Sequence, residues 1–123
     1  MDRQLLKIHE TKDVGSVHIA DEVIAIIAGM AAMEVEGVAG MVGKFTGELV
    51  ELLGKRNLSK GVSVTVGEGF VTLELAIIIE LGVQVLEVTK SVQEKVKNAV
   101  ETMTGLEVQD VNIKVAGVNV EKK

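Results

Sequence analysis

The stretch Val62-Ser63-Val64-Thr65-Val66-Gly67-Glu68-Gly69-Phe70-Val71-Thr72-Leu73-Glu74-Leu75-Ala76-Ile77-Ile78-Ile79-Glu80 decides the fold class. Val62, Val64 and Val66 alternate with Ser63 and Thr65, and a period of two is that of a half-buried strand. Gly67-Glu68-Gly69 then turns the chain as a hairpin does. Val71, Leu73 and Leu75 alternate with Thr72, Glu74 and Ala76 on the way back. Ile77-Ile78-Ile79 breaks the alternation. A strand apolar on both sides is a central one, covered on both faces or lying in an interface.

Downstream, Gly82 ends that strand and a helix is predicted from about Leu86 to Met103. Val88, Val92, Val96, Ala99, Val100 and Met103 fall on one helical stripe, while Glu87, Lys90, Glu94, Lys97, Asn98 and Glu101 fall opposite. Glu87–Lys90 and Glu94–Lys97 are spaced to pair along that outer face. Thr104-Gly105 closes the helix. A last strand follows, with Val111, Ile113 and Val115 alternating against Asn112, Lys114 and Ala116. Gly117 shifts the register and leaves Val118 and Val120 on the other parity, as a bulge does.

Upstream, Val14 to Ile19 reads as a short strand, and a helix begins near Ala20. Asp21 and Glu22 put negative charge in its first turn, where the helix dipole favours it. The run from Val23 to Met33 that follows contains no polar side chain. A surface helix needs a polar face opposite its apolar stripe, so this one turns its bare side to solvent, to a partner or to the rest of the domain. Gly37 is a natural left-handed residue to end it. Val38 to Val42 forms a second strand, Thr46 to Leu53 a short helix with Leu49, Leu52 and Leu53 inward, and 54–61 a basic surface loop.

The expected fold is therefore α+β, a two-layer sandwich in which a small mixed sheet carries two main helices on one face. The main elements run β-α-β-β-β-α-β. Residues 14–120 form a single domain, and 1–13 and 121–123 are flexible tails. At 123 residues the chain has the length of one domain.

Composition narrows the chemistry. The chain has no Cys, which removes disulfides, thiolate nucleophiles and Cys-ligated metals. Two Phe and no Tyr or Trp leave no stacking platform for bases. A net charge of −5 opposes a polyanionic partner. The first thirteen residues mix charge with isolated apolar side chains, unlike an export signal, and Val23 to Met33 is too short to span a bilayer. A cytoplasmic location without a transmembrane segment is expected.

No catalytic, metal or cofactor site is assembled by spacing. His18, near Asp21 and Glu22, projects from a strand while the acids flank a helix start, so the three do not converge. Gly40-Met41-Val42-Gly43-Lys44 lacks the leading Gly and the trailing Ser or Thr of a phosphate loop, having Val38 and Phe45 there. Gly40 and Gly43 do match the Gly-x-x-Gly clamp of KH domains, and Lys44, Lys55 and Arg56 make the region positive. That is the alternative, nucleic-acid-binding reading. The leading one is a self-associating protein-interaction module, with Ile24, Ile27, Met30, Ile77 and Ile79 as its candidate surface.

The chain also resembles a known family. Ile19-Ala20-Asp21-Glu22-Val23-Ile24-Ala25-Ile26-Ile27-Ala28-Gly29-Met30-Ala31-Ala32, followed by Glu34-Val35-x-Gly37-Val38, is similar to the opening of the alkaline shock protein family, the Gls-type envelope stress response proteins of Gram-positive and related bacteria. Lys60-Gly61-Val62-x-Val64-x-Val66-Gly67-Glu68-Gly69, Glu80-x-Gly82-Val83, Val96-x-x-Ala99-Val100-Glu101-x-Met103-Thr104-Gly105-Leu106-x-Val108 and Val111-Asn112-Ile113-x-Val115-x-Gly117-Val118 continue the likeness in order. Asp21 and Leu86 stand where members often have Pro, and Leu81 where they often have Tyr. The resemblance implies a non-enzymatic cytoplasmic protein, without cofactor, that works near the membrane in maintaining the envelope under stress. It implies self-association and protein partners, either a membrane-anchor protein or an enzyme of fatty-acid synthesis. The family's motifs are glycines and aliphatics, so no catalytic residue is carried over.

Overall fold

The computed structural model describes residues 5–11, 15–42 and 61–120. The chain begins with a two-stranded antiparallel ribbon, β1 (Leu5–Thr11) and β2 (Gly15–Ala20), bulged between Lys7 and His9. β1 falls within the segment read as a tail; its mixed charge gave no strand pattern, and pairing with β2 supplies the order. The short helix expected at Thr46 to Leu53, and residues 121–123, lie outside the described residues.

β2 runs straight into α1 (Asp21–Met33). No side chain caps its start, and Asp21 and Glu22 in the first turn are the polar feature that favours this end. The helix ends at Met33, earlier than the glycine signal suggested. Turns then follow from Ala31 to Val38, and Gly37 adopts φ +103° within them. The close approach of Val88 makes a second demand for glycine there, since an added Cβ would sit 2.8 Å from its Cγ2. Next come β3 (Val38–Met41), β4 (Val62–Val66), β5 (Phe70–Glu80), α2 (Val85–Thr104) and β6 (Glu107–Asn119).

β5 organises the main sheet. β6 runs parallel to it from Phe70↔Glu107 to Glu80↔Asn119. Along its other edge, β4 pairs antiparallel with Val71–Leu75, and β3 pairs antiparallel with Ile77–Ile79. Ala76 is the joint between these two: its carbonyl accepts from Val42 N–H at 3.0 Å, and its own N–H donates to Gly61 at 2.8 Å. The triple isoleucine is thus central because both of its edges are hydrogen-bonded.

Alternation along β5 decides which face is covered. Val71, Leu73, Leu75, Ile77 and Ile79 are all buried, whereas Glu74 and Glu80 on the opposite face are exposed. Both helices pack on the apolar side. α1 contributes Ile24, Ala28, Ala31 and Ala32, and α2 contributes Val88, Val92, Val96 and Val100. Burying each large aliphatic side chain contributes about 1.5–3 kcal/mol, so this single layer carries the stability of the domain.

The stripe of α2 differs from expectation at its end. Its buried positions recur every fourth residue and reach Thr104, not Met103, which is 67% exposed. Steps of four overshoot the 3.6-residue turn, so the stripe drifts around the helix. A buried hydroxyl needs partners, and Thr104 has two: its Oγ1 donates to Val100 O at 2.6 Å and accepts from Leu106 N–H at 3.1 Å. Gly105 then ends the helix at φ +78°, as the sequence suggested, with its N–H on Glu101 O.

Candidate interaction surface

Small side chains on facing helices leave a groove between α1 and α2. Ala31 and Ala99 keep its floor low, Ile27, Met30, Thr102 and Met103 form its walls, and its volume is about 520 Å³. One end is closed by the ion pair of Lys95 Nζ with Glu34 Oε1 at 3.4 Å. Both side chains of that pair are well exposed, so it contributes about 0–1 kcal/mol at most. Its structural effect is to neutralise the two charges that border the groove. Met30 is 45% exposed and Met103 67% exposed. Two unbranched thioether side chains at the rim are well suited to repack against another protein.

A second apolar region lies at one end of the domain. Leu81 and Leu86, at the turn from β5 into α2, are exposed, as are Val118 and Val120 at the end of β6. Leu81 N–H donates to Asn119 O at 3.2 Å, which holds the turn against that strand end.

The residues proposed from the sequence divide between core and surface. Ile27 is half-buried and Met30 exposed on the groove. Ile24, Ile77 and Ile79 are core residues instead, because each faces the space between sheet and helices. Gly40 is a buried strand residue opposite Ile78, so it is not in a loop that clamps a backbone. Gly43, Lys44, Lys55 and Arg56 lie outside the described residues. The contribution of α2 to the groove is hidden in the sequence, because Met103 falls in phase with the core stripe although it is exposed.

α2 also reaches over the start of β6. Glu101 Oε2 accepts from Lys97 Nζ at 2.8 Å and from Val108 N–H at 2.9 Å. Lys97 Nζ donates in addition to Val108 O, and Gln93 Nε2 to Val111 O. The Lys97 hydrogen bond, then the Val108 N–H, hold the Glu101 carboxyl below its ordinary range. Among the described residues no group of His, Cys, Asp or Glu is arranged to hold a metal ion. No described helix is long and apolar enough to cross a membrane.

Comparison with known proteins agrees with this description. YqhY of Bacillus subtilis (strain 168) is 41% identical over 123 residues, covering 99% of this chain and 91% of YqhY. YloU of the same strain is 41% identical over 108 residues, covering 86% and 90%. A stress response regulator gls24 homolog of Streptococcus pyogenes serotype M3 is 32% identical over 110 residues, covering 89% of this chain and 62% of that protein. Among solved structures, a triple variant of the MamM CTD superposes with a TM-score of 0.50 at 14% identity, covering 79% of this chain and 94% of that one. That likeness is one of fold. Residues 9–120 match the model of the ASP23 (alkaline shock protein) family, described as having cell envelope-related function. The chain belongs to that family.

Proposed function

We propose that this protein is a non-catalytic, self-associating module of the envelope stress response that binds other proteins on the cytoplasmic side of the membrane. The observation that carries this reading is the α1–α2 groove, where charge is paired off and Met30 and Met103 stand exposed over an alanine floor. Contiguous exposed apolar surface of this kind is a mark of protein contact. Membership of an envelope-related family supports the setting. A membrane-anchor protein or an enzyme of lipid synthesis is the kind of partner such a setting offers, and either one brings a chain with no spanning helix among its described residues to the membrane.

The test compares the wild type with a Met30→Glu, Met103→Glu variant. Affinity purification from the native cell is expected to recover proteins of the membrane fraction with the wild type and to lose them with the variant. Equal recovery with both proteins would remove the groove from this reading. Sedimentation velocity across a wide range of protein concentration tests self-association separately.

A further inference from the structure

β6 is a long edge strand, and among the described residues it pairs with β5 alone. Its outward edge has two unequal halves. Over the first, α2 side chains occupy the backbone: Glu101 and Lys97 bond both groups of Val108, and Gln93 bonds Val111 O. None of the described hydrogen bonds from α2 reaches beyond Val111. An uncovered row of strand N–H and C=O groups is a template for another strand, and natural edges are usually blunted by charge, proline or cover. From Val111 to Val120 there is no proline and one charge, Lys114.

Side chains open where the backbone opens. The helix-facing residues of β6 become steadily more exposed along the strand, from Val108 at 3% and Val111 at 9% to Val115 at 36% and Val118 at 46%. In a strand, the residues that share one face also turn their N–H and C=O groups to one edge. Val108 and Val111 face outward by their bonds to α2, and Ile113 and Val115 continue that set. A bulge then intervenes, because Ile77 is opposite Val115 while Ile78 is opposite Gly117. Beyond it, Val118 and Val120 take over the outward set.

The bulge makes the strand complementary to itself. About a two-fold axis between Ala116 and Gly117, Val115 falls opposite Val118 of a second copy, and Ile113 opposite its Val120. Every facing pair then lies on matching sides of the joined sheet, which a one-residue slip would reverse. Lys114 falls opposite Asn119 of the second copy. In each copy Asn119 Nδ2 donates to Glu80 Oε1 at 3.5 Å on the neighbouring strand. Two strand spacings, about 10 Å between Cα atoms, separate Lys114 from Glu80 of the second copy, a gap that the two side chains span. The arrangement repeats by symmetry, so each cation meets an anion.

We infer that β6 docks antiparallel on β6 of a second copy over 113–120, joining the two four-stranded sheets. This deepens the self-association reading and rests on it, and it leaves the α1–α2 groove open for a different protein.

Amide hydrogen exchange of the full-length protein, followed against concentration alongside sedimentation equilibrium, tests the assignment. Ile113, Val115, Val118 and Val120 are expected to become protected as the dimer forms. Lys114→Glu, an exposed change that leaves the core intact, is expected to weaken dimerisation about fivefold, and adding Glu80→Lys to restore it. A dimer whose new protection falls on α1 and α2, or on any surface other than this edge, would overturn the β6 assignment and leave self-association standing. A monomer at every concentration would remove both. Protection of these four amides only in the presence of an added extended peptide would assign the edge to a foreign strand and overturn the second copy.

Discussion

Glu101 on the last turns of α2 accepts the N–H of Val108 at the start of β6 at 2.9 Å, tying the helix to the strand that follows it. Only a hairpin-sized segment lies between them, yet the bond sets where β6 begins beside β5. The same carboxylate oxygen takes Lys97 Nζ. Both bonds favour the ionised form.

A pH dependence follows, and its sign is fixed. The carboxyl of Glu101 lies below its ordinary value in the folded chain, so folding is favoured by its ionisation. The contribution is fully present above the unfolded carboxylate range and is lost as pH falls through the folded value. Urea denaturation of Glu101→Gln is expected to show lower stability than the wild type at neutral pH. That difference should shrink as the solution becomes strongly acid. A difference that stays constant with pH would mean that the charge contributes nothing.

Gly37→Ala is expected to destabilise the fold by about 1–3 kcal/mol, for two separable reasons. One is the positive φ of +103°, and the other is the 2.8 Å approach of a new Cβ to Val88 Cγ2. Val88→Ala on its own opens a cavity and costs stability, but in the double variant it relieves the clash. Thermal denaturation of the four proteins of the cycle should therefore show a favourable coupling between the two changes. Strict additivity would show that backbone strain acts alone.

How much could be read in advance depended on contrast between polar and apolar positions. Ser63, Thr65, Thr72 and Glu74 mark the phase of β4 and β5, and Glu94, Lys97 and Asn98 mark that of α2; all three elements are legible. Across Val23–Met33 there is no polar residue, so a helix was evident but its inward side was not. Packing sets that phase: Ala25, Ala28, Ala31 and Ala32 turn inward with Ile24, because small side chains let α1 lie close to the sheet and α2. The two isoleucines Ile77 and Ile79 were ambiguous for a related reason. A doubly apolar strand has the same pattern in a sheet centre as in an interface, and only the packing of α1 and α2 over that face separates the cases. The open half of the β6 edge depends on which α2 side chains reach it, a contact that no local pattern records.

Thr104→Val keeps the size of the side chain and removes its hydroxyl. The N–H of Leu106, buried beside it, loses the acceptor that Thr104 Oγ1 supplies at 3.1 Å. Leaving a buried donor unpaired costs about 1–3 kcal/mol, and the loss should appear as a lower midpoint in urea with an unchanged slope. Thr104→Ser keeps the bond and gives up only a methyl group, so it is expected to fall between the two. A Val variant as stable as the wild type would mean that water replaces the hydroxyl.

The groove and the core make opposite predictions for neighbouring residues of one helix. Ile24 is fully buried, so Ile24→Glu places an unpaired carboxylate in an apolar core. Either the charge stays buried or the carboxyl is forced to take a proton, and both cost far more than a surface change. The expected loss is above about 4 kcal/mol, enough to prevent folding in a domain of ordinary stability. Met30 lies less than two turns further along and is 45% exposed. Met30→Glu leaves its charge in water, so its effect on stability should stay within about 0.5 kcal/mol. A folded Met30→Glu protein with the secondary structure of the wild type that no longer binds its partner would then locate the function in the groove. Circular dichroism read beside the binding assay separates that result from loss of structure. If Met30→Glu unfolds like Ile24→Glu, Met30 belongs to the core and the groove is not a free surface.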